Sequence, residues 1–127
     1  MRLFLDTHAF IWWDRETGKL PGRVYDACQD NKNTLCLSIV SVWELQIKIG
    51  IGKLRFERPL ARIIEEQIAN GMEILPVKLP HLWQLADLPR VHNDPFDRLL
   101  IAQAIVEDMS LVSADHMFAG YPVKLFW

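Results

Sequence analysis

The sequence has little sulfur chemistry to offer: two cysteines, Cys28 and Cys36, in 127 residues. They stand eight positions apart, in no Cys-x-x-Cys or Cys/His spacing, which excludes a disulfide framework and a zinc site and leaves two buried thiols as the expectation. No apolar stretch approaches the roughly 20 residues that a membrane span requires. The start, Met1-Arg2-Leu3-Phe4-Leu5-Asp6, meets its first acid too early for a secretory signal, so a cytoplasmic chain is expected, with no membrane association. Charge of one sign is not in excess either. Fourteen basic against sixteen acidic residues give a net charge of −2, with no global pull towards nucleic acid or anionic lipid. Repeats, low-complexity segments and linkers are absent. The Pro-containing stretch from Leu88 to Pro95 reads as a loop and not as a domain boundary.

What is present is a chain that is 50% hydrophobic and 24% charged, enough to bury a core as one domain spanning residues 1–127. Apolar strand-like runs alternate with segments of helical spacing. Arg2 to Asp6, Thr34 to Ile39, Met72 to Val77, Ser110 to Ser113 and Val123 to Phe126 read as strands. Helical spacing covers Leu20 to Lys32, Ser41 to Ile49, Pro59 to Asn70, Leu79 to Leu88 and Asp97 to Glu107. Gly71 is placed to close its helix in the left-handed conformation. Strands separated by helices predict a mostly parallel sheet with helices on both faces.

Four carboxylates, Asp6, Glu44, Asp97 and Asp115, sit where strand-like runs give way to helix starts. In an open α/β sheet such positions converge on one crevice outside the carboxyl ends of the strands. Each acid also has an ordinary structural role available. Ser41-Val42-Trp43-Glu44 fits a capping box. Asp94 fits an N-cap, with Pro95 at the first helical position and Asp97 at the positive end of the dipole. Asp115 would open a short final helix, and Asp6 would mark the end of the first strand. The conjunction is what points beyond structure. A carboxylate directly after Leu3-Phe4-Leu5 is costly to bury unless paired or bound to a cation, and few basic residues lie near enough to neutralise all four.

Leu5-Asp6-Thr7-His8, Ser41-Val42-Trp43-Glu44-Leu45, the long block from Asp94 through Phe96, Asp97 and Arg98 to Ala104, and Leu111-Val112-Ser113-Ala114-Asp115 resemble, in order, the motifs of PIN-domain nucleases. More narrowly they resemble the VapC toxins of toxin–antitoxin pairs. The resemblance implies a three-layer α/β/α sandwich, Mg2+- or Mn2+-dependent cleavage of RNA, a cognate VapB-like antitoxin and a homodimer. Its acidic quartet falls on Asp6, Glu44, Asp97 and Asp115, supported by Thr7 and Ser113, with Asp94 as the cap that places Asp97. Alanine and aspartate after Ser113 depart slightly from the family's pattern and make Asp115 the least secure of the four. Magnesium takes oxygen ligands and keeps several waters, so Asp6 and Asp97 are expected nearest the metal, with Glu44 and Asp115 acting through water or a second ion.

Lys48, Lys53, Arg55, Arg58 and Arg62 form the candidate RNA-contacting patch, with Arg98 and Arg15 added for their nearness to acidic motifs. The segment from Lys48 to Lys53 lacks the glycine spacing and the Lys-Ser/Thr ending of a phosphate loop. His8 is expected to pack at the start of the first helix, and His92 to order the loop before Asp94. Phe10 to Trp13 make that first helix unusually apolar, enough to serve antitoxin binding or self-association. Trp43 and Trp83 are expected in the core. An aspartate-based phosphotransferase would want a second acid two positions after Asp6, where His8 stands. A catalytically inactive PIN-like module that binds RNA or protein is the remaining alternative.

Overall fold

The computed structural model describes residues 1–127. Its strands are β1 (Arg2–Leu5), β2 (Thr34–Ser38), β3 (Glu73–Leu75), β4 (Ser110–Val112) and β5 (Lys124–Phe126). They form one sheet in the order β3-β2-β1-β4-β5, and every neighbouring pair is parallel. From β1 the chain winds outward through β2 to β3, then returns to place β4 on the other flank of β1. The order therefore reverses between β1 and β4, and their carboxyl ends open a crevice there.

Six helices connect the strands: α1 (Thr7–Arg15), α2 (Gly22–Gln29), α3 (Ile39–Gly50), α4 (Leu60–Ala69), α5 (Leu79–Asp87) and α6 (Pro95–Val106). Short 3-10 turns occupy Thr17–Lys19 and His116–Gly120. Neighbouring strand residues point to opposite faces, and the sheet is buried on both. Leu3, Leu5, Leu37 and Val112 pack with Phe10, Val24, Leu45 and Ile63 on one side. Phe4, Cys36 and Leu111 pack with Leu100, Ile101 and Phe118 on the other. This is the expected three-layer sandwich, with a sheet that is wholly parallel. No helix is long and apolar enough to cross a membrane. Cys28 and Cys36 are buried free thiols, as expected.

Local rules account for most boundaries. Gly71 has φ +100°, its amide bonds Ile68 O at 3.0 Å and the Met72 amide bonds Gln67 O at 3.0 Å, the pair of hydrogen bonds that seals a helix end. Pro21 stands before α2, so the helical spacing expected from Leu20 to Lys32 shortens to Gly22–Gln29, with a separate 3-10 turn at Thr17–Lys19 ahead of it. The capping-box reading of Ser41 and Glu44 is incorrect. β2 runs straight into α3, Ser38 Oγ accepts from the Val40 amide at 3.0 Å, and Ser41 and Glu44 lie inside the helix on its buried face. The expectation for Trp43 and Trp83 also fails: they are 58% and 65% exposed. The apolar stripe of α3 runs through Val40 and Leu45 and leaves Trp43 outside, its ring edge-on to Phe96 at 5.2 Å.

α1 is less available than its composition suggests. Phe10 and Ile11 are buried, Trp12 packs against Trp127 at 5.7 Å, and Trp13 against Tyr25 at 6.1 Å. Phe10 is fully buried beneath the sheet, so Phe10→Ala should lower the unfolding free energy by about 3–5 kcal/mol in urea denaturation. A drop below about 1 kcal/mol would be the ordinary effect of a surface change and would contradict this core.

Candidate metal centre

The site begins with three helix starts. Asp6, leaving β1, caps α1: its Oδ1 accepts from the Ala9 amide at 2.8 Å. Asp94 caps α6, its Oδ1 accepting from the Phe96 amide at 2.8 Å and the Asp97 amide at 3.2 Å. Asp115, beyond β4, caps the last 3-10 turn through Oδ1 and the Met117 amide at 2.9 Å. The capping roles foreseen for Asp94 and Asp115 are therefore real. For Asp6 and Asp115 they are no alternative to a site role, because a capping carboxylate uses one oxygen and keeps the other.

Glu44 arrives differently, from the middle of α3. It is 8% exposed, and its two oxygens are separately held: Thr7 Oγ1 donates to Oε1 at 2.7 Å, and Lys48 Nζ sits 3.0 Å from Oε2, one helical turn along. Thr7 also lies 3.0 Å from Ser41 Oγ, so β1's exit and α3 are joined through buried hydroxyls. Ser113 supports the opposite side. Its Oγ accepts from the Asp115 amide at 3.0 Å, and its nearness to Asp6 opposes the rise of that carboxyl.

These groups share one pocket of about 300 Å³, lined by Asp6, Thr7, Glu44, Lys48, Asp97 and Asp115 together with Asp94 and His8. All four expected acids are brought together from four separated segments. Of the expected basic residues only Lys48 lines it. Lys53 and Arg55 are exposed beyond the end of α3. Arg58 pairs with Asp14 and Glu66 at 3.7 and 3.2 Å, and Arg15 bonds Arg55 O at 2.6 Å while its guanidinium stacks on Phe56. Arg98 turns away from Asp94 and Asp97, donating to Pro89 O at 2.8 Å and to the Tyr121 hydroxyl at 3.2 Å.

Sequence reasoning placed His92 only as an ordering residue, and it does accept from the Asp94 amide through Nδ1 at 3.1 Å. Its other nitrogen reaches the site: Nε2 is 3.1 Å from Asp97 Oδ2 and 3.3 Å from Asp115 Oδ2. His92, Asp97 and Asp115 form the one tight cluster of metal-capable side chains in the molecule. Nothing in the spacing of His92 announces its reach to Asp115, which is far along the chain.

The electrostatics show the cost of the arrangement. Asp97 is pushed up to about 7, first by burial and then by Asp94, with Glu44 and Asp6 adding to the rise and His92 opposing it. Burial likewise raises Asp6, against the hydrogen bonds from Ser113 and Ala9. Such groups favour protonation unless a cation compensates. The donors facing the pocket are predominantly carboxylate oxygens, the set that suits a hard divalent cation.

Fold and site together define a parallel α/β domain with a polyacidic pocket at the switch point of its sheet. The chain belongs to the PIN-domain family, whose profile matches residues 3–124. Among solved structures it is similar to VapBC2 from Rickettsia felis, bound to a DNA fragment from their promoter (TM-score 0.78, 20% identity, covering 100% of this chain and 99% of that one). It is also similar to VapBC-1 from nontypeable Haemophilus influenzae (0.66, 15%, 99% and 97%) and FitAcB from Neisseria gonorrhoeae (0.63, 19%, 98% and 96%). No curated protein sequence matches it.

The raised Asp97 makes a signed prediction. Between its ordinary 3.8 and about 7 the folded state holds the extra proton, so this group's contribution to stability falls as pH rises through that window. In EDTA above neutral pH, Asp97→Asn should therefore raise Tm by about 5 °C, and at pH near 4 it should match the parent. A lowered Tm at the higher pH would contradict the repulsion described.

Proposed function

We propose that the chain is a metal-dependent endoribonuclease, the toxin of a toxin–antitoxin pair, working in the cytoplasm. The observation that carries the reading is the convergence of Asp6, Glu44, Asp97 and Asp115 on one pocket at the switch point of a PIN-family sheet. An active PIN-type centre is favoured over an inactive module because the buried acids are costly to the fold and have a use only when a cation is held.

Asp6 and Asp97 would hold the cation most directly, each keeping an oxygen clear of its cap or of His92. Glu44 and Asp115, whose oxygens are more fully engaged by neighbours, would orient its waters. Bound there, Mg2+ or Mn2+ supplies Lewis-acid stabilisation and a more acidic water for in-line displacement at phosphorus. The chain's own residues do the positioning. Thr7 and Lys48 fix Glu44, the Ala9 amide fixes Asp6, Ser113 fixes the Asp115 backbone, and Asp94 fixes the first turn that carries Asp97. Lys48 at the pocket, with Lys53 and Arg55 beyond it, would meet the RNA backbone; Arg98, tied to Pro89 O, would meet it on the far side of the Asp97 helix.

A VapB-like antitoxin has a fitting surface in the groove of about 760 Å³ between α3 and α4, whose walls include Val42, Ile49, Phe56, Leu60 and Ile64. Self-association as a homodimer would use α3 and α5, where Ile39, Trp43, Ile47, Leu79 and Trp83 are exposed, in place of the largely covered α1.

Asp6→Asn and Asp97→Asn should each reduce Mg2+-dependent cleavage of a structured RNA by more than about 100-fold, beyond the range of outer-sphere changes. Full cleavage by both variants would end the nuclease reading. Replacing Lys53 and Arg55 by alanine should flatten the dependence of log affinity on log salt by about 0.7 for each phosphate that the chain no longer neutralises, measured with the uncleaving Asp97→Asn chain. An unchanged slope would remove those two residues from the RNA path.

A further inference from the structure

The proximity of His92 to Asp97 and Asp115 suggests a nitrogen ligand completing the metal site, but its hydrogen bonding argues otherwise. Nδ1 faces the Asp94 amide at 3.1 Å, and an amide N–H can only donate. Nδ1 is therefore the bare nitrogen, and the ring proton sits on Nε2, the nitrogen that faces Asp97 Oδ2 and Asp115 Oδ2. A histidine that binds a metal through Nε2 has the reverse pattern: its Nδ1–H donates to an acceptor such as a carboxylate or carbonyl, fixing the tautomer that frees the Nε2 lone pair.

We infer that His92 is a positioning residue and not a ligand: its Nε2–H ties the carboxylate of Asp97 on α6, a direct ligand in the proposed site, to that of Asp115 beyond β4, which holds the ion's waters. The inference rests on the metal-centre reading and adds to it how two acids from different elements are held within reach of one ion. The ring is itself held on several sides. The His92 amide donates to the Tyr121 hydroxyl at 2.7 Å, the same oxygen that receives Arg98, while Arg98 also grips Pro89 O. Next to it, Val91 fills the space beside Gly120, where an added Cβ would lie 2.8 Å from Val91 Cγ1. The histidine ring also packs against Phe118 at 5.9 Å. A loop pinned in this way presents the N–H at a fixed place, and the cation then finds an oxygen-only pair, the donor type that suits Mg2+.

The test uses the whole chain above neutral pH, with Mg2+ or Mn2+ as the probe and no RNA. Calorimetry should show His92→Ala binding Mg2+ about 10–100-fold more weakly, the range for removing an outer-sphere partner, and His92→Gln, which keeps an N–H donor, recovering part of the affinity. Ring nitrogen NMR of the parent should show a protonated Nε2 and a bare Nδ1 both before and after Mg2+ is added. Mn2+ EPR should show no directly coordinated nitrogen. Unchanged Mg2+ affinity in a folded His92→Ala chain would overturn the clamp, and so would a proton that moves to Nδ1 on metal binding or a His92-dependent nitrogen coupling to Mn2+. Parent chain that binds Mg2+ but leaves RNA intact would sink the ribonuclease proposal and leave the clamp standing. Parent chain that binds neither ion would sink both.

Discussion

The mutual repulsion of carboxylates held in a shared, partly buried pocket is the constraint around which the molecule is arranged. Burial raises Asp6 and Asp97, and the neighbouring acids raise Asp97 further. The fold withstands this because each acid is anchored by something else. Asp6 and Asp115 are held by helix-start amides, Asp97 sits on a helix whose start Asp94 caps, and Glu44 is held between a hydroxyl and an ammonium. Amides and hydroxyls fix the acids without cancelling their charge. Only Lys48 brings a lysine or arginine charge into the pocket lining beside them, so carboxylates outnumber the basic side chains there.

That division of labour explains how capping and a place in the shared pocket coexist in the same side chains. A cap residue stands at the place where strand direction ends and a helix dipole begins, which in a parallel sheet is also the mouth of the crevice. Using aspartate there serves the helix through one oxygen and the crevice through the other. Glu44 shows the less economical route. It occupies a core-phase position in α3, in step with Val40, Ser41 and Leu45, and needs Thr7 and Lys48 to be tolerated.

Much of this was legible beforehand. The five apolar runs became the five strands, the Gly71 helix end and the Asp94 cap followed from local chemistry, and the four acids of the site were placed by their motifs. The errors share a cause. Ser41 and Glu44 match a capping box because residues three apart also face each other inside a helix, and only the strand's direct passage into α3 at Ser38 separates the two readings. A charged residue in phase with buried apolar ones was the available signal. Trp43 and Trp83 misled because bulk suggests burial, whereas helix phase decides it. The reach of His92 to Asp115 and the turn of Arg98 towards Tyr121 depend on the meeting of distant segments, which no local pattern encodes.

The strand order has a temporal side. β1 pairs with β4 through Leu3 and Ser110, so the two walls of the pocket come from opposite ends of the chain and close a loop of more than a hundred residues. Long-range parallel pairing of this kind is slow and comes late in folding. While the chain is being made from its amino end, Asp6 exists for most of synthesis with neither Asp97 nor Asp115 beside it. The four acids therefore meet in one pocket only after β4 has joined β1, a delay written into topology.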